Sequence, residues 1–571
     1  MYTMNEFTTF EKLEYKRPAF DQAESFYKQL TARVKAAKTY GEVRNCILEE
    51  ERFSSTLNTM ATIAEIRNTV DTSDEFYERE HEYIHNQYPA VMPYMQAFNT
   101  ALLASPFKKD VDTEYGAQYL KRVQLDVDSF CEQNVPLMQE ENELTNRYQK
   151  ITAGCKIPFQ GETCNLYGIM KYFSSPDREI RKQATRLYEE FFEKHDEELG
   201  EIFDRLVKLR HQMGVNMGFE NYIPLGYMLQ GRMDYNAADV ASFRKQVLEE
   251  LVPFCETIYT AQAKRIGVEE VRFYDEECLF LDGNATPIGD RAYLVDKARE
   301  MYHDMSAETG EFIDFMIEHE LMDLDNKPNK AATGYMTALN DYKAPFVYSC
   351  FNGTTGDVDV LTHEMGHAFA GYMAMKTQPL QALWSEPTDI AEIHSMAMEQ
   401  FAYPYAELFF GEKAELYRRQ HLQQTLTFVP FGVAVDEFQH IVYENPNMTP
   451  DERTAAWRNL EKKYMPWRKY DETSEFFNRG GWWYHKLHIF HYPFYYVNYT
   501  LTTMGALEFK KKYAEDKAGC WNDYLTLCKV GGSFGYIDTL KKANLAVPFE
   551  DGGVKRAVSY AKAIVEKQIK E

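Results

Sequence analysis

A mainly α-helical fold with a small β-sheet is what this sequence predicts, on three observations. Long segments of Ala, Leu, Glu, Lys and Gln run from Phe7 to about Ala153, strand-favouring runs are few and local, and the most distinctive string of the chain lies in a helix-compatible stretch from Asp357 to Met375. With 571 residues, 44% of them hydrophobic and 15% aromatic, the chain is long enough to build more than one large core.

The N-terminal helical tract breaks at Tyr40-Gly41, around Asp71 and at Pro106, and Thr72-Ser73-Asp74-Glu75 reads as a capping box that opens a helix. Ser175-Pro176 starts another helix, on which Ile180, Ala184, Leu187 and Phe191 form an apolar stripe. This junction predicts an N-terminal helical lobe over 1–175 and a second region over 176–571. Strand content returns at Gly334-Tyr335-Met336-Thr337 and at Phe346 to Phe351. A small sheet there offers an edge along which an extended peptide can add by main-chain hydrogen bonds, and a purely structural hairpin is the plain alternative. Gly353 and Gly356 allow close approach of the chain before the next helix, while Gly531-Gly532-Ser533 reads either as a hinge or as an ordinary turn.

The helix that follows carries His363-Glu364-Met365-Gly366-His367. Histidines four apart share a helix face, so both imidazoles can reach one metal ion, and Glu364 beside the first can take a proton from a water on that ion. The string is short enough to arise by accident in roughly 3 of 100 chains of this composition. Its setting adds weight: Leu361, Met365, Ala368 and Tyr372 form a core-facing stripe that leaves the histidines off it. A third donor must come from elsewhere, because the residue six after His367 is Met373. Glu386 and Glu392 are the available carboxylates. Glu386 precedes Pro387 at a helix entrance, whereas Glu392 lies inside an apolar run of Ile390, Ala391, Ile393, Met396, Ala397 and Phe401, where a buried carboxylate needs a cation. Glu392 is therefore favoured and Glu386 is its rival. Asp359, one turn before His363, and Glu399, two turns after Glu392, are the acids placed to accept an imidazole N–H. For Asp359 the simpler reading, a first-turn acid favoured by the helix dipole, takes precedence.

These strings, with Tyr342-Lys343-Ala344-Pro345-Phe346, Phe351-Asn352-Gly353-Thr354, Glu392 to Glu399, His488-Ile489-Phe490 and Pro493-Phe494-Tyr495-Tyr496, resemble the thimet oligopeptidase and oligoendopeptidase F family of zinc metallopeptidases, in particular its Pz-peptidase branch. The similarity runs from Tyr335 to Tyr499 and is weaker at Ser175 to Glu179. The resemblance implies a two-lobed helical shell around a deep substrate channel. It also implies one Zn²⁺ held by His363, His367 and Glu392, with Glu364 as general base, in an endopeptidase that cuts internal bonds of short unfolded oligopeptides. Cleavage from a chain end, or a peptide-binding protein that has lost catalysis, are the competing readings.

Between Trp482 and Tyr499 the chain interleaves nine aromatic rings with His485, His488 and His491. Most such rings do no more than fill a core. The resemblance assigns a histidine and tyrosines of this segment to the catalytic cleft, best at His488, Tyr496 and Tyr499, where O–H and N–H donors can stabilise an oxyanion. A one-residue shift would substitute Tyr492, Tyr495 and His491.

The formal net charge of −25 opposes binding to nucleic acid or to an anionic membrane. No apolar run of 18 residues occurs, and residues 1–7 lack a basic-then-apolar signal, so a cytoplasmic location is expected. The nine cysteines follow no pairing pattern and read as reduced core thiols. Oligomeric state is not legible.

Overall fold

The computed structural model describes residues 8–281, 283, 285–327, 329–331 and 333–570. Residues 1–7, whose composition bears on a signal peptide, lie outside these. Helix makes up 73% of the chain beside two small sheets, which settles a mainly α fold. Among the described residues no helix is long and apolar enough to cross a membrane. All nine cysteines are free thiols.

Packing divides the chain into two compact units that are interleaved in sequence. The first comprises Met1–Asp128, Thr286–Ala414 and Lys512–Leu545, and the second Ser129–Ala285, Glu415–Lys511 and Ala546–Glu571. These groups collect spatial neighbours. The consecutive division 1–175 and 176–571 orders the chain differently and stands as a proposal about its organisation.

The first unit begins with three helices, α1 (Phe20–Ala36), α2 (Tyr40–Val70) and α3 (Glu75–Leu103). Their shared core holds Phe20, Tyr27, Leu30, Val34, Leu57, Val91 and Phe98. Thr39 and Glu42 form a reciprocal capping box at the start of α2, which accounts for the break at Tyr40-Gly41. The cap of α3 differs from the expectation. Asp74, not Thr72, accepts hydrogen bonds from Phe76 N and Tyr77 N. An aspartate one residue before the helix reaches those amides directly, so the helix begins at Glu75.

A three-stranded sheet in this unit is ordered β3–β5–β4, from β3 (Met322–Asp325), β4 (Tyr335–Leu339) and β5 (Ala344–Phe351), after a separate hairpin of β1 (Ile157–Phe159) and β2 (Glu162–Cys164) in the second unit. β3 runs parallel to β5 and β4 antiparallel to it, with Tyr335 opposite Tyr348 and Leu339 opposite Ala344. Strands β4 and β5 match the expected runs. The hairpin and β3 carry no expectation, being too short for an alternating pattern to register.

β5 leads through a tight loop into the helix Thr355–Thr377. Asp357 closes that loop by accepting from Asn352 N at 2.9 Å and Gly353 N at 2.7 Å, and Gly353 takes φ +81°, a value that favours glycine. The helix buries Leu361, Met365, Ala368 and Tyr372, as the stripe requires. It packs on the helix Thr388–Ala402 and on the later helix Lys517–Val530. Tyr524 of the latter donates to His394 O at 2.9 Å. Gly532 N donates to Leu383 O at 2.9 Å, and a Cβ at Gly531 would fall 2.4 Å from the same oxygen. The glycine pair is thus a site of close backbone contact, which accords with the ordinary-turn reading.

In the second unit the helix Arg178–Lys194 buries Arg181, Ala184, Tyr188 and Phe192, while Ile180, Leu187 and Phe191 are only partly covered. The stripe is rotated by one position from the expected one. Arg181 donates to Asp275 Oδ1 at 2.7 Å, and this buried pair turns inward a face that hydrophobicity alone assigns to solvent.

Candidate metal centre

Three side chains on two adjacent helices of the first unit converge. Among the described residues, His363, His367 and Glu392 form a group whose ligand atoms all lie within 4.8 Å of one another. Glu392 Oε2 stands 3.1 Å from His363 Nε2 and 3.3 Å from His367 Nε2. With its Nδ1–H given to Glu399, a neutral His363 turns a bare Nε2 lone pair toward the Glu392 oxygen, a contact that becomes favourable once a proton or a metal ion sits between them. Burial disfavours ionising Glu392, yet its hydrogen bonds with His363 and His367 hold the carboxyl well below the usual range. Burial likewise opposes charge on His363, and Glu392 and Glu399 overcome it and raise the imidazole well above its ordinary value. Both directions describe a pocket that favours a cation, and two nitrogens plus one oxygen is a donor set suited to zinc.

The other imidazole nitrogen of His363 is held as well. His363 Nδ1 lies 2.5 Å from Glu399 Oε1, so the carboxylate fixes the ring with Nε2 turned toward His367 and Glu392. Ser395 donates to Glu392 Oε2 at 3.1 Å and so orients the third donor. Neither Ser395 nor the neighbouring Gly366 carries an expected role from sequence. A Cβ at Gly366 would lie 2.7 Å from Ser395 Cα and 3.0 Å from His394 O. The glycine therefore sets how closely the two donor helices cross, a role visible only once the second helix is in place. Glu386, the rival ligand, is outside the group: its Oε1 lies 3.4 Å from Nδ1 of the buried His394, in a separate pair.

Glu364 follows the first histidine and points toward the sheet. Its Oε1 lies 4.0 Å from the position of a Cβ built at Gly334, which precedes β4 and is exposed. No strand pairs with the outer edge of β4 among the described residues. The Glu364 carboxylate thus stands at the head of an edge strand.

The aromatic segment belongs to the second unit and forms its own cluster. The His488 ring is 5.0 Å from that of Tyr496 and 5.9 Å from that of Tyr499. Burial, then Lys486 and His491, push the His488 imidazole down to about 4, so it is neutral near pH 7. Its Nδ1 is buried and has no hydrogen-bond partner among the described residues. The alternatives from a shifted register are differently placed, His491 Nε2 meeting Thr145 O at 2.9 Å and Tyr492 being 49% exposed. Phe494 takes φ +62°, a strained value for a bulky residue, and its N–H donates to Gln439 Oε1 at 2.9 Å.

Comparison with known proteins now bears on this arrangement. A model described as the peptidase family M3 matches residues 171–278 and 295–558, and one described as the peptidase M3 N-terminal domain matches 10–130. The chain belongs to peptidase family M3. Among solved structures, the M3 chain is 42% identical to PZ peptidase A, a structure with an inhibitor, at a TM-score of 0.91, covering 98% of this chain and 99% of that one. An oligoendopeptidase-F from Enterococcus faecium, 15% identical with a TM-score of 0.63 over 96% and 97% of the two chains, shares the fold. An oligoendopeptidase F homolog of Borreliella burgdorferi is 21% identical over 70% of this chain and 66% of its own length. Oligopeptidase PepF of Bacillus subtilis is 21% identical over 53% of this chain and 42% of its own. The alignments thus span less than two thirds of either curated relative.

Proposed function

We propose that this M3 chain is a zinc-dependent endopeptidase that hydrolyses internal bonds of short, unfolded oligopeptides. The observation that carries the reading is the convergence of His363, His367 and Glu392, with Glu399 bracing the first imidazole. One zinc ion held by these three would polarise a peptide carbonyl and acidify water. Glu364 accepts a proton from the attacking water as its oxygen bonds to the carbonyl carbon. When the C–N bond breaks, Glu364 returns that proton to the leaving amine. His488, Tyr496 and Tyr499 are the proposed donors to the charge that develops on the carbonyl oxygen, with a neutral His488 able to donate N–H at pH 7. The unpaired edge of β4 supports substrate binding as an added strand, a mode that reads backbone more than side chains and tolerates varied sequence.

A cytoplasmic location and short peptides as the partners, with neither nucleic acid nor membrane among them, complete the proposal and accord with a net charge of −25. The test is product mapping by mass spectrometry on an internally quenched peptide blocked at both ends, alongside metal analysis. Internal cleavage that requires bound zinc is expected. Inertness toward blocked peptides with turnover of free-ended ones indicates an exopeptidase, and metal-free protein with unchanged turnover overturns the zinc assignment.

A further inference from the structure

On α3, far in sequence from the HExxH helix, two histidines one turn apart face each other. His81 Nε2 and His85 Nε2 are 3.1 Å apart, with ring centroids 4.3 Å apart and planes at 60°. We propose that His81 and His85 form a second metal site, a two-imidazole chelate for a divalent transition ion such as Ni²⁺, Cu²⁺ or Zn²⁺. Two nitrogens at that separation, each about 2.0–2.1 Å from a shared ion, subtend roughly 95–102° at it, between the square-planar and tetrahedral angles. His81 is partly buried and His85 exposed, so the remaining coordination positions open to water. Glu82 and, from α2, Glu65 lie near enough for their charges to act on His81, and they add negative potential. Burial and His85 both lower the His81 basicity, which keeps that ring neutral and ready to ligate near pH 7. Imidazole pairs suit these ions, whereas Mg²⁺ and Ca²⁺ require oxygen donors.

The position gives the ion a structural consequence. Pro89 and Pro93 lie inside α3, and Pro89 has no N–H to offer the His85 carbonyl, so the chelate would pin the turn that immediately precedes an interrupted stretch of the helix. This inference is independent of the proposed peptidase activity.

The experiment uses the full chain as purified. Wild type and the His81→Ala/His85→Ala variant are dialysed against Ni²⁺, assayed for metal per chain and melted with and without the ion. Wild type is expected to hold one ion more than the variant and to melt higher with Ni²⁺, while the variant is unmoved and both hydrolyse peptide equally before Ni²⁺ is added. Equal Ni²⁺ uptake by the two proteins overturns the site and leaves a plain N–H···N hydrogen bond between the rings. If the alanine pair disturbs α3, His81→Gln/His85→Gln keeps polar bulk there and carries the same expectation.

Discussion

Replacing Gly366 by alanine tests whether the crossing of two helices builds the metal centre. The new Cβ would meet Ser395 Cα at 2.7 Å and His394 O and Met398 Cβ at 3.0 Å, against an ordinary contact of about 3.5–4.0 Å. Two of these neighbours are backbone, so the helices must part by up to about 1 Å. Overpacking of this kind costs about 1–3 kcal/mol, and the gain of about 1 kcal/mol from removing a helical glycine offsets only part of it. Coordination tolerates about 0.2 Å, so moving Glu392 away from His363 and His367 should lower zinc affinity by roughly tenfold to a hundredfold. Gly371, five residues on in the same helix, is the internal control. A Cβ there meets only Met336 Cε at 3.6 Å and Met375 Cε at 3.9 Å, so Gly371→Ala should be neutral or more stable by about 1 kcal/mol. Both variants are titrated with a zinc-buffering chelator and melted. If Gly366→Ala binds zinc like wild type and melts no lower than Gly371→Ala, the close approach is not what places Glu392.

Other expectations are direct. Glu364→Gln should abolish turnover while zinc content stays at the wild-type level, and near-normal hydrolysis would remove Glu364 as the base. Glu392→Ala should lose the metal altogether, which elemental analysis after gel filtration reads. Glu399→Ala removes the acceptor of the His363 Nδ1 proton and should weaken zinc binding by about 10–100-fold. Burial above all lowers His440 to about 4. Between about pH 6.5 and about pH 4 the unfolded chain takes up this proton and the folded chain does not, so stability falls as pH falls across that window, by at most about 1.4 kcal/mol per pH unit from this group. Urea midpoints measured through the window should show a flatter slope for His440→Gln.

What the sequence made legible follows from the range of the interactions involved. The helix around His363 was readable because its stripe and its donors repeat at a local period, and Glu392 because a carboxylate inside an apolar run demands a cation. Gly366 and Ser395 were opaque, since each acts against a residue on another helix or on a ligand whose place is set by packing. The Ile180 stripe failed for a similar reason: Arg181 is drawn inside by Asp275, 94 residues later, and hydropathy has no sight of that partner. Thr72 was mistaken for the cap because the box pattern matched, while the shorter reach from Asp74 prevailed. The cluster of His488 with Tyr496 and Tyr499 was traceable only through resemblance to a family, since spacing alone leaves several rings interchangeable.

The split make-up of the first unit bears on how the protein is made in the cell. Both donor helices are complete in sequence by residue 402, yet the phenol that hydrogen-bonds His394 O lies 130 residues beyond that histidine, in a segment that begins at Lys512. A nascent chain stalled between these points carries His363, His367 and Glu392 without the helix that packs against the one bearing the histidines. On the proposed function, peptide hydrolysis is thereby deferred to the last stage of synthesis, and C-terminal truncations should forfeit it even though no proposed donor residue is removed.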